Sequence, residues 1–187
     1  MKKRAVFLDR DGVVIKQCHY LKDPKLVELE RSVADGIRTL RDHGFVVIVV
    51  TNQSGIARGL FTTAEVEAIH EKIQALLAAN DTKIDAFYTC PHHPDFDMDC
   101  DCRKPKPGMI LRAAKDFDID VGASFMCGDK AADVECGRNA GCRKSFLVLS
   151  GYGESELPKC PANTPVCRDF AKVVNLICAD AGISEDK

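Results

Sequence analysis

The chain has 187 residues, of which 45% are hydrophobic and 29% charged, and its formal charge is −2. That length suits one domain with a core of its own. The charge carries no basic excess of the kind that nucleic acid or an anionic membrane surface selects, so a phosphorylated partner must be met by local positive charge.

The predicted elements alternate. Ala5–Leu8 is a short apolar strand, and Val33–Leu40 is a helix with Val33, Ile37 and Leu40 on one face. Phe45–Val50, FVVIVV, is a continuous β-branched run that suits a strand buried on both faces. Residues 62–79 open with Thr62 and Glu65, a capping-box pair, and carry Val66, Ile69, Ile73, Leu76 and Leu77 at helical spacing. Ile84–Tyr88 is a third strand. Pro107 enters the first turn of a helix reaching Ala114. A fourth strand at 124–128, a helix at Asp133–Ala140, a fifth strand at 145–149 and a last helix at Phe170–Ala179 complete the series. Strand and helix in alternation predict an α/β domain with a doubly wound, mainly parallel sheet, one unit over 1–187.

In such sheets ligands bind at the carboxyl ends of the strands. Asp9 and Asp11 follow the first strand, Thr51, Asn52 and Gln53 the second, and Gly128, Asp129 and Lys130 the fourth, with Asp133 beyond. Charges at a strand end commonly mean only that the chain has reached water. Here carboxylates, a hydroxyl and a lysine arrive at one rim. Asp9 and Asp129, converging from neighbouring strands, suit Mg²⁺, which takes few protein ligands and relieves the crowding of like charges. A turn at Gly12 aims Asp9 and Asp11 at opposite ends of one scissile bond, one to attack phosphorus and one to protonate the leaving oxygen.

Four motifs stand in order: DRDGV at 9–13, TNQSG at 51–55, CRKPKPGM at 102–109 and GDKAAD at 128–133. Together they resemble the haloacid dehalogenase (HAD) superfamily of phosphatases over most of the chain, to about Leu149. The resemblance implies a Rossmann-like core. It implies Asp9 as nucleophile and Asp11 as general acid, then base. Mg²⁺ would be held by the Asp9 side chain, the Asp11 backbone carbonyl and Asp129. Thr51 and Lys104 would stabilise the phosphoryl group. Asp133 has two readings, an orienting group for Lys130 or a metal-bound water, and a helix N-terminal acid favoured by the macrodipole.

Ten cysteines would suggest disulfides in a small secreted chain. After the basic MKKR, the apolar run Ala5–Leu8 is too short for a secretory h-region, and no segment approaches a membrane span. The expectation is a cytoplasmic, reduced protein whose cysteines are core residues or metal ligands. CPHHPDFDMDCDC, residues 90–102, supplies Cys90, His92, Cys100 and Cys102, one nitrogen and three sulfurs for a closed, structural Zn²⁺ site. His93 competes with His92, and the resembled family's spacing favours His92. The loop runs into Arg103 and Lys104, which it would aim at the substrate. Cys127 and Cys136 are expected in the core; the remaining cysteines carry no assignment.

The intervals 12–50 and 52–103 leave no room for a separate cap domain, so loops must select the substrate. Arg10, Gln17, Cys18, His19, Tyr20, Asn52, Gln53, Ser54, Arg103 and Lys130 are the candidate contacts. Among capless, zinc-loop members of the superfamily, the motifs resemble those that act on a small sugar bisphosphate, a heptose 1,7-bisphosphate of lipopolysaccharide or related pathways, losing its 7-phosphate; a monomer is expected, but no motif speaks to oligomeric state. Histidinol phosphate is the alternative, favoured by the short zinc loop. Val13, where Thr is usual, and QCHY at 17–20, without the usual Gly before Tyr20, depart from the pattern at the substrate flap. A non-catalytic phosphosugar-binding module is the reading from another class; the complete set of nucleophile, acid and metal residues argues against it.

Overall fold

A computed structural model describes residues 2–96 and 99–182. Six strands form one parallel sheet: β1 Arg4–Leu8, β2 Phe45–Asn52, β3 Ala86–Cys90, β4 Phe125–Gly128, β5 Lys144–Val148 and β6 Val166–Cys167. Their order is β3-β2-β1-β4-β5-β6. The chain winds outward from β1 to β3, returns beside β1 and winds outward again. The crevice between β1 and β4 is therefore the switch point at which such sheets bind ligands.

Side-chain alternation along the strands sorts the core into two layers. Val6, Leu8, Val47, Val49, Phe125, Cys127, Phe146 and Val148 face one side. They pack on α1 (Val33–Asp42), α2 (Thr63–Ala78) and α6 (Phe170–Asp180). Ala5, Phe7, Ile48, Val50 and Met126 face the other, against α3 (Gly108–Phe117) and α4 (Ala131–Ala140). Both faces are covered, which is why the strands read as unbroken apolar runs. Val33, Ile37 and Leu40 are the buried stripe of α1, and Thr62 and Glu65 form the capping box of α2. Cys127 and Cys136 lie in the core.

Several boundaries differ from the sequence reading. The third strand begins at Ala86 and runs to Cys90, so the cysteine loop starts on the sheet itself, with Cys90 opposite Asn52. Pro107 caps α3 from outside its first turn. Helix α4 begins at Ala131, directly after Lys130. The four-residue helix α5 (Gly153–Glu156) and the strand β6 have no periodicity signal, being too short to show one. Between β1 and β2 the described chain holds only α1, a short 3-10 turn at Pro24–Leu26 and loops, so the strand ends stay open to the outside.

Candidate active site

Strand register sets the first distances. Leu8 pairs with Cys127 on one side and Val49 on the other, and the Asp9 N–H donates to the Cys127 carbonyl at 2.9 Å. Asp9 therefore lies one residue short of both Thr51 and Asp129 at the same rim. Its carboxylate is buried, and Oδ1 accepts from Lys104 Nζ at 2.7 Å. The same ammonium donates to the Val50 carbonyl at 2.8 Å and meets Asp133 Oδ1 at 2.6 Å. Burial alone would strip the proton from Lys104; Asp133 and Asp9 together outweigh it and hold its pKa well above the usual lysine range.

Asp133 thus acts on Lys104, while its Oδ2 accepts the Lys130 N–H at 3.0 Å and caps α4. A Cβ on Gly128 would stand 2.1 Å from that of Asp133, so no other residue fits there. Asn52 pins the Lys104 backbone from both sides, accepting its N–H at 3.1 Å and donating to its carbonyl at 3.2 Å.

Asp11 is held by two neighbours. Arg10 Nε and Nη2 straddle its two oxygens at 2.9–3.1 Å, and Gln53 Nε2 donates to Oδ2 at 2.9 Å. Gln53 also donates to Thr51 Oγ at 2.8 Å, so the Thr51 hydroxyl keeps its own proton to give.

The donor set fits a hard divalent cation. Asp9, Asp129 and Asp133 bring carboxylate oxygens within 4.8 Å of one another. Asp129 is fully buried; Oδ2 accepts the Tyr152 N–H at 2.8 Å, but Oδ1 has no partner. Gly12 and Gly151, both at positive φ, press against this carboxylate, and a Cβ on either would stand 2.3 or 2.2 Å from Oδ2. Burial first, then the charge of Asp9, push Asp129 up to about 7; burial also raises Asp133 to about 6, against the pull of Lys104. An orphaned buried oxygen among three carboxylates and two ammoniums calls for positive charge, and its hard oxygen chemistry is that of Mg²⁺.

A cavity of about 190 Å³ opens beside Asp11. Of the expected contacts, Arg10, Gln17, Cys18, His19, Tyr20, Asn52, Gln53, Ser54 and Lys130 line it. Tyr20, at φ 50, turns its ring toward Phe61 and under the Arg58 guanidinium, which also hydrogen-bonds its hydroxyl. Arg103 does not line this cavity. It faces a neighbouring hollow of about 320 Å³ and donates from Nη1 to the His92 carbonyl at 3.0 Å. The expected contacts did not include Leu21, Gly55, Phe61 or Tyr152, which also line it. Tyr152 follows β5, so the strand-end rule would have found it.

Cys90, the last residue of β3, has its Sγ 3.1 Å from Cys102 Sγ and 3.9 Å from Cys100 Sγ on the loop that follows. Sulfurs at about 2.3 Å from a tetrahedral Zn²⁺ would lie roughly 3.8 Å apart, so the Cys90–Cys100 pair has that spacing and the Cys90–Cys102 pair would have to open to reach it. His92 and His93 stand on the same loop, outside the three-sulfur cluster and lining the adjacent hollow.

Residues 101–173 match the Hydrolase_like family model, described as HAD-hydrolase-like. The D-glycero-beta-D-manno-heptose-1,7-bisphosphate 7-phosphatase of Escherichia coli K12 is 43% identical over 152 residues, covering 79% of this chain and 80% of that one. The chain belongs to the HAD-like phosphatases. The corresponding alpha-anomer enzyme of Photorhabdus laumondii is 38% identical over 160 residues, 83% of this chain and 87% of its own. Among solved HAD phosphatases, the D,D-heptose 1,7-bisphosphate phosphatase from B. bronchiseptica, complexed with magnesium and phosphate, superposes with a TM-score of 0.86 at 37% identity. That match covers 95% of this chain and 99% of the other. Magnesium in that relative agrees with the donor set here. Among the described residues no helix is long and apolar enough to cross a membrane.

The raised Asp129 carboxyl has a measurable sign. Folded and metal-free, it keeps its proton up to about pH 7, whereas the unfolded group loses it near the ordinary 3.8. The folded state binds the extra proton in that window, so this group's contribution to stability falls as pH rises from about 4 to 7. Thermal melts of chelator-treated protein across that range should show a component of decline that Asp129→Asn removes and that added Mg²⁺ offsets.

Proposed function

We propose that this chain is a Mg²⁺-dependent phosphatase that removes the 7-phosphate of D-glycero-D-manno-heptose 1,7-bisphosphate through an aspartyl phosphate on Asp9. The substrate rests on the 43% identity to the E. coli heptose bisphosphate enzyme, the chemistry on the convergence of Asp9, Asp11 and Lys104. The whole chain, 1–187, is read as one capless domain acting as a cytoplasmic monomer, with no nucleic-acid or membrane partner.

Asp9 Oδ2, the oxygen not taken by Lys104, attacks phosphorus. As the bond to the sugar oxygen breaks, Asp11 gives that oxygen its proton. Arg10 and Gln53 keep the Asp11 carboxyl turned toward the leaving side. Lys104 and the Thr51 hydroxyl meet the charge on the transferring phosphoryl oxygens. Asp11, now a carboxylate, takes a proton from water, whose oxygen attacks phosphorus and releases Asp9 and inorganic phosphate. Asp9, Asp129 and the Asp11 carbonyl would hold Mg²⁺, which supplies charge stabilisation to the phosphoryl oxygens. Without the ion, and above the pH of about 7 at which Asp129 gives up its proton, Asp9, Asp129 and Asp133 outnumber Lys104 and Lys130, and a phosphate dianion would meet net negative charge.

The loop of residues 90–102 is read as a structural zinc site of Cys90, His92, Cys100 and Cys102. Its anchor is Cys90 at the end of β3, whose carbonyl accepts the Gln53 N–H at 2.8 Å. Its far end delivers Lys104. Arg103, bonded to the His92 carbonyl, braces this loop and reaches the substrate only from its edge.

Asp9→Asn should abolish turnover, since an amide is a poor nucleophile. Asp11→Asn should keep Mg²⁺ binding and slow turnover by roughly 10²–10⁴-fold; near-normal steady-state rates would remove its acid–base role. Protein purified without chelator should hold one zinc per chain by elemental analysis, and Cys100→Ser or Cys102→Ser should lower both zinc content and melting temperature. Phosphate release should be faster from heptose 1,7-bisphosphate than from histidinol phosphate at equal concentration. The opposite order would transfer the assignment to the amino alcohol.

A further inference from the structure

We propose that Tyr152 is a positioning residue whose ring holds the Lys130 ammonium in the cavity as the receptor for the phosphate that is not cleaved. The inference rests on the bisphosphate reading above and deepens it.

Five cations stand near the site. Arg58 is spent on the Tyr20 ring and hydroxyl and does not line the cavity. Lys104 is buried and committed to Asp9 and Asp133. Arg10 is committed to Asp11. Arg103 lies in the neighbouring hollow on the His92 carbonyl. Lys130 alone of these lines the cavity with no anionic partner among the described residues. The carboxylate cluster of Asp9, Asp129 and Asp133 draws the Lys130 ammonium toward the reaction centre, yet Nζ sits 4.8 Å from the centroid of the Tyr152 ring. An aromatic face attracts a cation without neutralising it. The ammonium is thus held in place with its charge still on offer, whereas a carboxylate partner would have to be displaced by the incoming phosphate.

The ring's own position is fixed by its backbone. The Tyr152 N–H donates to Asp129 Oδ2, and its carbonyl accepts from Ser155 Oγ, both at 2.8 Å. Gly151 presses against Asp129 and Ser150 Oγ donates to the Gly12 carbonyl at 2.6 Å. One carboxylate therefore anchors both the reaction centre and the arm that carries the ring, which sets the span between the cleaved and the retained phosphate. The Tyr152 hydroxyl makes no hydrogen bond among the described residues, so the ring face, not the phenol, is the working part.

Steady-state kinetics on heptose 1,7-bisphosphate and an aryl monophosphate should separate the possibilities. In Y152A the ratio of the two kcat/KM values should fall by about five- to thirty-fold, the range of a cation–π contact, chiefly through KM for the bisphosphate. Y152F should keep the wild-type ratio. K130A should lose the preference, and Y152A should add nothing to K130A. An unchanged ratio in Y152A, an equal loss in Y152F, or a further loss in the double variant would each overturn the inference. A wild-type enzyme inert toward the bisphosphate would instead overturn the substrate reading itself.

Discussion

A single buried ammonium organises this molecule. Lys104 Nζ has three protons and three acceptors: Asp9 from β1, the Val50 carbonyl from β2 and Asp133 from α4. A buried lysine without anions would lose its charge, and buried carboxylates without a cation would take up protons. Each is tolerated because the others are there. Removing any one leaves an uncompensated charge in the crevice at the switch point, which is a larger penalty than losing one hydrogen bond.

The surrounding structure serves that arrangement. Asn52 fixes the Lys104 backbone, and Cys90, its register partner, begins the cysteine loop that ends at Cys102. The lysine therefore enters the crevice from a loop tied to the sheet at one end and braced by sulfur at the other. The polar stretch between has no core of its own, so the proposed zinc would give the loop the rigidity that apolar burial gives elsewhere. Glycines complete the packing where carboxylates crowd: Gly12, Gly128 and Gly151 leave the space that Asp129 and Asp133 fill.

The cavity proposed to take the substrate lies on the other side of Asp11 and is built from three loops. The Tyr20 flap is fastened to Arg58 and Phe61, the 52–54 turn supplies polar edges, and Tyr152 enters from beyond β5 with Lys130 against its ring. With no cap domain among the described residues, these short segments are ordered by local contacts. Their aromatic and cation pairings provide that order at an open surface, where simple burial is incomplete.

Much of this was legible in the sequence because it depends on spacing along one strand or helix. The doubly wound sheet follows from alternating apolar runs, and the placement of Asp9, Asp11, Thr51 and Asp129 at one rim follows from their position just after strands. The capping box of α2 and the core cysteines Cys127 and Cys136 are local properties too. What the tertiary structure decided are contacts between segments far apart in the chain. Asp133 had two sequence readings; its Oδ2 caps α4 as the helix-acid reading has it, while the 2.6 Å contact of Oδ1 with Lys104 is a partner neither reading named. Arg103 and Lys104 are neighbours in sequence, yet they point into different spaces, one toward the His92 carbonyl and one into the core. Phe61 joined the cavity unannounced, since a side chain's partner across the fold leaves no periodicity behind. Strand order set the rim, a matter of chain direction; the charge network within it depends on three-dimensional packing, which sequence spacing does not encode.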